Sequence, residues 1–355
     1  MESMGNTPNS GNFFIGKRGI GKGHPAWIVA DVAQAHDGSL GTAHAFIDIA
    51  SRAGVDAIKF QTHLADAESS SEEPFRVHFS RQDSSRYEYW RRMEFSPEQW
   101  HGLAVHAREN GLEFLSTPFS VEAADLLEKI GVAAWKVGSG DITNNLLLDR
   151  LIASKKPILL SSGMSSWGEL DAAVTLVKRH VPCMVYQCTT QYPCPPKLVG
   201  LGLIKDMMSR YQLPIGLSDH SGKTCFGIAA VAIGAASVEV HIAMSRESFG
   251  PDVPASLVPH ELQQLVEGVR NVEEAIATPL DKDALSVSFQ DMKAIFGRSL
   301  VTKLAIKRGQ MVKQEYLTAK KPAIGIPPSA IDEVVGRKVR RDLPANHFIT
   351  MEDIE

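Results

Sequence analysis

The chain has 355 residues and lacks the features by which several classes of protein are recognised. It has only four cysteines, with no CxxC pair, so a reducing cytoplasm fits better than a disulfide framework. No apolar run approaches the length of a membrane span, and the polar N-terminus has no secretory core segment. The net charge is only −4, so we expect neither nucleic acid nor a membrane as a partner.

Short β-type runs alternate with helical patterns from Trp27 onward. Helical periodicity marks segments such as Pro97–Asn110 and Trp167–Arg179. The order predicts an α/β chain whose parallel strands close into a (β/α)8 TIM barrel, because strands that alternate with helices pair in parallel. The predicted strands are Ala26–Val32, Ala57–Gln61, Leu112–Ser116, Ala134–Val137, Pro157–Ser161, Met184–Cys188, Pro214–Leu217 and Ser237–His241.

Composition divides the chain into parts. Leu304–Leu317 and Leu343–Ile354 resemble each other, which indicates an internal duplication in a small β-rich domain at the C-terminus. The charged and aromatic stretch Leu64–Glu94 is longer than most loops and predicts a lid or binding loop. We therefore predict a disordered leader at 1–12, a barrel with an N-terminal hairpin at 13–280, a linker at 281–295 and the small domain at 296–355.

Polar and ionisable residues stand at or just after the ends of the predicted strands. In a closed parallel barrel these ends converge on one face, where active sites of this fold are built. One such residue would mean little, but the pattern recurs on all the predicted strands. The residues are Asp31, Lys59, Gln61, Thr117, Lys136, Ser139, Asp141, Ser161, Thr190, Tyr192, Ser218, His220, Glu239 and His241.

Lys59 and Lys136 lie inside otherwise apolar runs, where an unpaired ammonium group would be costly. One interpretation pairs each lysine with a carboxylate of the core. The other is an anion site, in which the lysines act with the hydroxyls of Ser139, Ser161 and Ser218 and with glycine amides that can approach a phosphate closely.

His220 and His241 end neighbouring strands of the predicted barrel. Adjacent parallel strands are about 4.8 Å apart, so two imidazoles there could share a divalent ion. Two nitrogen ligands completed by water or substrate oxygen suit Mn²⁺ or a similar ion better than a closed zinc site. Alternatively, each histidine is structural. His36, after the first strand, is a weaker candidate for contact with a substrate.

Several motifs occur in the order in which one known family has them. They are ADVAQAHDGS (30–39), IKFQTH (58–63), STPF (116–119), WKVGSGD (135–141), LSSGM (160–164), QCTTQYPCP (187–195), GLSDHSG (216–222), EVH (239–241), GPD (250–252) and KKPAIGIP (320–327). Together they resemble the sialic acid synthases nearly from end to end. The resemblance includes a C-terminal domain similar to type III antifreeze protein, the SAF domain.

The resemblance implies condensation of phosphoenolpyruvate with N-acetylmannosamine, its 6-phosphate or a related diacetamido sugar, with Mn²⁺ or Mg²⁺ as cofactor. It implies a domain-swapped dimer in which Lys321 closes the site of the other subunit. Catalysis would involve Asp31, Lys59, Lys136 and Asp141, with Asp141 managing protons. By the same resemblance, phosphoenolpyruvate would contact Lys59, Thr117, Lys136, Ser139, Ser161, Thr190 and Ser218. The metal would bind to His220 and His241. The sugar would contact Asp31, Tyr192 and Asp252.

The chain departs from the family pattern at three of these positions. Asp31 stands where the family usually has glutamate, Thr190 where it often has asparagine, and Lys321 where an arginine is expected to recognise the N-acyl group. Lysine offers a point charge in place of a planar fork. The changes cluster on the sugar side, so phosphoenolpyruvate is the firmer expectation and the acceptor the looser one.

Two alternatives remain from the residues. A Schiff-base aldolase acting on a related keto acid would use Lys59 or Lys136 as nucleophile, without a metal requirement. A non-catalytic sugar-binding module would bind sugar through its C-terminal domain. His220 would then be dispensable for its biological role.

Overall fold

The computed structural model describes residues 11–355 and divides the chain into two compact units, which meet between Ala277 and Thr278. Residues 1–10 of the predicted leader lie outside the described part. The first unit begins with an antiparallel hairpin of β1 (Phe13–Ile15) and β2 (Arg18–Ile20), as predicted.

The barrel strands and their helices follow this hairpin. The strands are β3 (Trp27–Ala33), β4 (Ala57–Thr62), β5 (Glu113–Pro118), β6 (Trp135–Val137), β7 (Ile158–Ser161), β8 (Cys183–Cys188), β9 (Ile215–Asp219) and β10 (Ser237–His241). The helices are α1 (Leu40–Ala53), α2 (Ala65–Glu68), α3 (Arg86–Met93), α4 (Pro97–Glu109), α5 (Val121–Ile130), α6 (Asn145–Ala153), α7 (Trp167–Lys178), α8 (Leu201–Tyr211), α9 (Thr224–Ala232) and α10 (Pro259–Ala277).

The eight barrel strands form one parallel sheet in the order β5-β4-β3-β10-β9-β8-β7-β6. The two ends of this order, β5 and β6, contact each other, which brings the sheet close to a closed barrel. The predicted fold class is therefore confirmed. Each predicted strand is present, and its ends differ from the prediction by at most two residues.

The interior of the barrel is apolar at its N-terminal end. Side chains of alternate strand residues fill it, among them Trp27, Leu159 and Met184, because successive side chains of a strand point to opposite faces. Ile15 and Ile20 of the hairpin pack against this layer and are fully buried. The hairpin therefore covers the N-terminal end of the barrel.

The long segment between β4 and α4 is partly helical, whereas its sequence predicts a loop. Helix α3 begins after Ser85, whose side chain accepts the backbone N–H of Glu88. The helix buries Tyr89, Trp90 and Met93 in a small apolar cluster of its own. This cluster supports the segment 64–94, which forms an ordered wall above the barrel.

The second unit contains α11 (Lys282–Ser288), α12 (Gln290–Phe296), β11 (Ser299–Thr302) and β12 (Leu317–Lys320). The predicted linker at 281–295 is thus largely helical, because Asp281 caps α11 by accepting the N–H groups of the next turn. The two similar stretches meet at Ile306 and Leu343, which exchange both backbone hydrogen bonds. The two stretches are therefore neighbours in this unit, and their duplication stays a prediction from sequence. Among the helices of residues 11–355, none has the length and apolar character needed to cross a membrane.

Asp56 stabilises the bottom of the barrel, and we expect Asp56→Ala to lower the free energy of unfolding by about 3 kcal/mol. The carboxylate is 3 % exposed, accepts the N–H of Ile28 at 2.8 Å and binds Arg18 and Arg270. Its loss would leave a buried N–H unpaired and would remove one of the two carboxylates that pair with Arg270. Urea unfolding of the variant measures the change, with the exposed Asp206→Ala as control. Equal stability of the two variants would contradict this structural role.

Candidate active site

A cavity of about 450 Å³ lies at the C-terminal ends of the barrel strands. Its wall includes every predicted site residue of the first unit, whereas Lys321 belongs to the second unit. These residues are Asp31, Lys59, Thr117, Lys136, Ser139, Asp141, Ser161, Thr190, Tyr192, Ser218, His220, His241 and Asp252.

The alternation of strand residues explains why these side chains meet. Leu159 packs in the apolar interior layer, and Ser161, two residues later on the same face, lines the cavity. Tyr186 and Cys188 of β8 repeat this relation, as do Val29 and Asp31 of β3. The interior thus changes from apolar to polar at nearly the same height on each strand.

Two lysines and two carboxylates form a buried charge cluster at this height. Lys59 Nζ lies 2.6 Å from Asp31 Oδ2 and 3.7 Å from Glu239 Oε1, and Lys136 Nζ lies 3.2 Å from the same Glu239 oxygen. All four side chains are at most 3 % exposed. Two positive and two negative charges therefore balance within the cluster.

Opposite charges in this cluster favour the ionised forms of Asp31 and Lys59. Burial alone would raise the pKa of Asp31, but Lys59 and His241 outweigh it, and the pKa lies below its usual value. Burial likewise opposes the charge of Lys59, yet Asp31 and Glu239 raise its pKa above the usual value. The lysines are thus paired, as the first interpretation of the sequence required, and they also face a cavity.

Asp31, which we expect to contact the sugar, lines the cavity and is held by partners within the protein. Its Oδ2 binds Lys59, and its Oδ1 accepts the N–H of Ala33 at 3.0 Å. Both carboxylate oxygens are therefore engaged within the protein. In this arrangement the residue neutralises Lys59 and orients it.

Hydroxyl groups surround the lysines. Ser161 Oγ accepts a hydrogen bond from Lys136, and Ser218 Oγ donates to Glu239 Oε1 at 3.0 Å. Ser139 lies at the start of a 3-10 turn after β6, with Oγ 3.8 Å from Cys188 Sγ. A Cβ added to Gly163 would lie 1.9 Å from Ser139 Oγ and 2.7 Å from Thr190 Oγ1, so this position must be glycine for the hydroxyls to lie where they do.

His220 and His241 lie side by side, with ring centroids 5.0 Å apart. Nδ1 of His220 lies 2.9 Å from the carbonyl oxygen of Thr189, which fixes this nitrogen as the donor and leaves Nε2 for a ligand. Nε2 in turn lies 3.3 Å from the hydroxyl of Tyr192. Nδ1 of His241 is buried without a hydrogen-bond partner among residues 11–355, so its lone pair or proton is unmatched.

The outer wall of the cavity is built by Tyr192, Asp252 and the segment 64–94. Tyr192 stacks on His220 at 4.1 Å, and the guanidinium of Arg76 lies 4.3 Å from the centre of the Tyr192 ring. Arg76 also binds Asp252 at 2.5 Å. The long segment therefore reaches across the cavity and contacts its opposite wall.

Asp141 lies in the 3-10 turn after β6 and accepts a hydrogen bond from Asn144 at 2.9 Å. Burial raises the pKa of Asp141 above its usual value, and the nearby carboxylate of Glu68 raises it further. The hydrogen bond from Asn144 lowers this pKa, but by less. A raised pKa makes a carboxylate a better base, so Asp141 is suited to accept and return a proton.

His36 does not line the cavity, contrary to the weaker expectation from sequence. It is 1 % exposed, its ring packs 4.8 Å from that of Phe95, and Nδ1 accepts the N–H of Gly38. Burial lowers the pKa of His36 to about 3, so the ring is a neutral part of the core. The strand pairing shifts between Asp31 and Ala33, which breaks the alternation before His36.

Other cavity residues were given no role from sequence. Gln61 and Glu239 stand among the predicted polar strand ends, and each lies two residues from a residue with an assigned role, on the same face of its strand. His63, Glu68 and Arg76 follow the strand in a segment without periodicity, where sequence gives no signal for which side chains turn inward.

Both units of the chain resemble families of known proteins. Residues 46–280 match the model of the NeuB family, and residues 297–355 match the SAF domain. The chain belongs to the NeuB family. Its NeuB region contains most of the barrel, including all the cavity residues named above except those before residue 46.

Relatives of this chain include synthases of nonulosonic acids. It is 34% identical over 328 residues to the human N-acetylneuraminate-9-phosphate synthase, covering 91% of this chain and 90% of that one. It is 32% identical to the N,N'-diacetyllegionaminic acid synthase of Campylobacter jejuni, covering 91% and 98%. The crystal structure of a sialic acid synthetase from Leptospira borgpetersenii matches with a TM-score of 0.70 at 28% identity, covering 79% and 96%. Membership of this family supports a condensation-type synthase activity for this chain.

Proposed function

We propose that this protein condenses phosphoenolpyruvate with N-acetylmannosamine or a related N-acylated amino sugar in the cytoplasm, giving a sialic acid-type nonulosonate and phosphate. The observation that carries the proposal is the cavity at the strand ends, which joins two buried lysines and their hydroxyls to a pair of adjacent histidines. The four cysteines are free thiols, which suits a reducing compartment.

The lysine side of the cavity would bind the phosphate and carboxylate of phosphoenolpyruvate. Lys59 and Lys136 supply charge, and Ser161 and Ser218 already touch this cluster. Thr117, Ser139 and Thr190 add hydroxyl donors from the same wall. Donors aimed at the departing phosphate stabilise the charge that develops on it.

We expect Gly163→Ala to raise KM for phosphoenolpyruvate by about 10- to 100-fold. The new methyl group would overlap Ser139 Oγ, so the hydroxyl must move away from its place in the wall. Steady-state phosphate release measures the change. Gly202→Ala is the control, because a Cβ there meets open space. A variant with unchanged KM would remove Ser139 from the proposed phosphate site.

His220 and His241 are the residues that would hold Mn²⁺ or Mg²⁺. Their rings are adjacent, and the unmatched Nδ1 of His241 fits a site that needs another group. Residues 11–355 contain no cluster of three or more His, Cys, Asp or Glu side chains arranged for a metal, so the other ligands would be water or substrate oxygens. When bound, such an ion supplies Lewis-acid polarisation of the sugar aldehyde.

The reaction forms one carbon–carbon bond and, at C2, replaces the carbon–oxygen bond to phosphate by one to an oxygen from water. C3 of phosphoenolpyruvate bonds to the aldehyde carbon of the open-chain sugar, while a water oxygen bonds to C2. The tetrahedral C2 then loses phosphate by cleavage of the C–O bond and becomes the ketone. Asp141, with its raised pKa, would move the protons of these steps, and Tyr192 and Asp252 would orient the sugar.

A domain-swapped dimer belongs to the same proposal, with Lys321 of each SAF domain meeting the acceptor in the partner's barrel. Helices α11 and α12 expose Phe289, Met292, Ile295 and Phe296, an apolar surface that a second copy could cover. Nζ of Lys321 lies 5.1 Å from the ring centre of Phe296, so the lysine borders this surface.

Phosphate release tests the proposed function directly. Purified protein is mixed with phosphoenolpyruvate and Mn²⁺, together with N-acetylmannosamine, its 6-phosphate or diacetamido sugars in turn. We expect release with at least one acceptor and none without an acceptor. Absence of release across the whole panel would disprove the proposal.

The alternative of a Schiff-base aldolase is less well supported. Its nucleophile must be a neutral amine, whereas Asp31 and Glu239 raise the pKa of Lys59, and Lys136 pairs with Glu239. Borohydride trapping with pyruvate would detect it. The non-catalytic binding module would bind sugar without releasing phosphate, so the same panel distinguishes it.

A further inference from the structure

His63 follows β4 and lies between two aromatic rings. Its ring centroid is 3.8 Å from that of Trp90 and 4.4 Å from that of Phe119, and both pairs are nearly parallel. The side chain is 4 % exposed. The two faces of the imidazole are therefore covered by apolar groups, and only its two edge nitrogens can make polar contacts.

Both nitrogens belong to a chain of hydrogen bonds that ends in the cavity. Nδ1 of His63 lies 2.6 Å from Glu68 Oε1, and Nε2 lies 2.8 Å from Nε2 of Gln34. The same Gln34 amide nitrogen donates to Oε1 of Gln61 at 2.7 Å. The order Glu68–His63–Gln34–Gln61 connects the segment 64–94 to the wall of the barrel.

The carboxylate of Glu68, at the start of this series of hydrogen bonds, determines which group donates in each of them. An ionised carboxylate can only accept, so the proton of the neutral imidazole lies on Nδ1. Nε2 is then an acceptor and takes one hydrogen of the Gln34 amide. The second hydrogen goes to Oε1 of Gln61. The other oxygen of Glu68 is buried and has no hydrogen-bond partner in the described part of the chain, so His63 is the group this carboxylate serves.

Gln61 consequently has its amide NH₂ left for the cavity. It lies two residues after Lys59 on β4, on the same face and nearer the mouth of the barrel. With the proton on Nε2 of His63, Gln34 would turn its carbonyl toward the ring, and Gln61 would turn its NH₂ toward Gln34. The cavity would then meet a carbonyl oxygen instead of a donor.

We propose that Glu68 and His63 are positioning residues that, through Gln34, hold the Gln61 amide with its N–H groups toward an oxygen of the acceptor sugar. The proposal rests on the proposed function and adds a determinant of acceptor recognition. A site that donates to a substrate oxygen rejects analogues that lack it, because the buried donor is left unpaired.

Glu68→Leu tests the positioning, since leucine fills similar space and cannot hold the Nδ1 proton. We expect KM for the acceptor to rise about tenfold, the scale of one lost hydrogen bond, with KM for phosphoenolpyruvate within about twofold of wild type. Glu68→Gln should keep KM for the acceptor near the wild-type value, because its amide oxygen can still accept from Nδ1. Glu72→Leu, exposed on the same segment, is the control.

A set of acceptor sugars that each lack one hydroxyl distinguishes this positioning role from a merely structural one. For wild type, one deoxy analogue should have a KM about tenfold higher than the parent sugar. For Glu68→Leu, the analogue and the parent sugar should have the same KM. Equal discrimination by both proteins, an unchanged acceptor KM in Glu68→Leu, or damage in Glu68→Gln as large as in Glu68→Leu would overturn the proposal.

The protonation of His63 can be observed without turnover. In protein labelled with ¹⁵N-histidine, long-range ¹H–¹⁵N correlation should show His63 with the hydrogen on Nδ1, assigned by the loss of its signal in His63→Gln. A hydrogen on Nε2 would overturn the inference. Wild-type phosphate release separates the two proposals: no release disproves the function, whereas release with Glu68→Leu unchanged disproves only the positioning.

Discussion

Replacing Lys136 with methionine is expected to lower kcat/KM for phosphoenolpyruvate by about 10³-fold. The ammonium group donates to Ser161 and pairs with Glu239, and it belongs to the wall where we place the departing phosphate. Methionine retains the aliphatic length of the side chain but supplies neither charge nor donor. Phosphate release at several phosphoenolpyruvate concentrations measures the loss, with the exposed Lys178→Met as the matched control.

A structural role of Lys136 can be separated from a binding role by the double variant Lys136→Met, Glu239→Gln. The single variant leaves Glu239 with Lys59 at 3.7 Å as its remaining ion pair, so we expect a loss of stability of about 3 kcal/mol. Neutralising Glu239 should recover part of that stability, read from urea unfolding, while activity stays lost. Recovery of activity along with stability would mean that Lys136 serves only the fold.

The barrel could be predicted from sequence because its strands are apolar runs of similar length separated by helical periodicity. The polar strand ends were also visible, since Lys59 and Lys136 interrupt such runs. Which carboxylate pairs with which lysine could not be predicted. Glu239 serves both lysines only because β10, β4 and β6 place these side chains at one height inside a closed sheet.

The predictions from sequence were wrong where the periodicity of apolar and polar residues is interrupted. His36 follows a strand as His220 does, yet the irregular pairing after Asp31 turns it into the layer between strands and helices. The stretch 281–295 was predicted as a linker, and its two helices, of seven residues each, were missed because so short a helix gives little periodicity in the sequence. Arg76 reaches Tyr192 and Asp252 across the cavity, a contact between residues distant in sequence that no local pattern encodes.

Removal of divalent metal is expected to lower phosphate release by at least about 10²-fold, because the sugar aldehyde would lose its Lewis acid. Protein treated with EDTA and desalted should be inactive, and Mn²⁺ should restore its activity. His220→Ala and His241→Ala should fail to recover at Mn²⁺ concentrations that saturate wild type. The exposed His180→Ala should behave as wild type.

Binding can be measured apart from turnover, by electron paramagnetic resonance of Mn²⁺ titrated into metal-free protein. Wild type should remove the signal of free Mn²⁺, and each cavity histidine variant should leave it, since each variant keeps only one of two adjacent imidazole ligands. Full activity after chelation would contradict the metal site and favour lysine chemistry, in which case pyruvate and borohydride should label the protein. Binding of Mn²⁺ by His220→Ala with wild-type affinity would place the ion elsewhere, because Nε2 of His220 is the nitrogen that the Thr189 carbonyl leaves available.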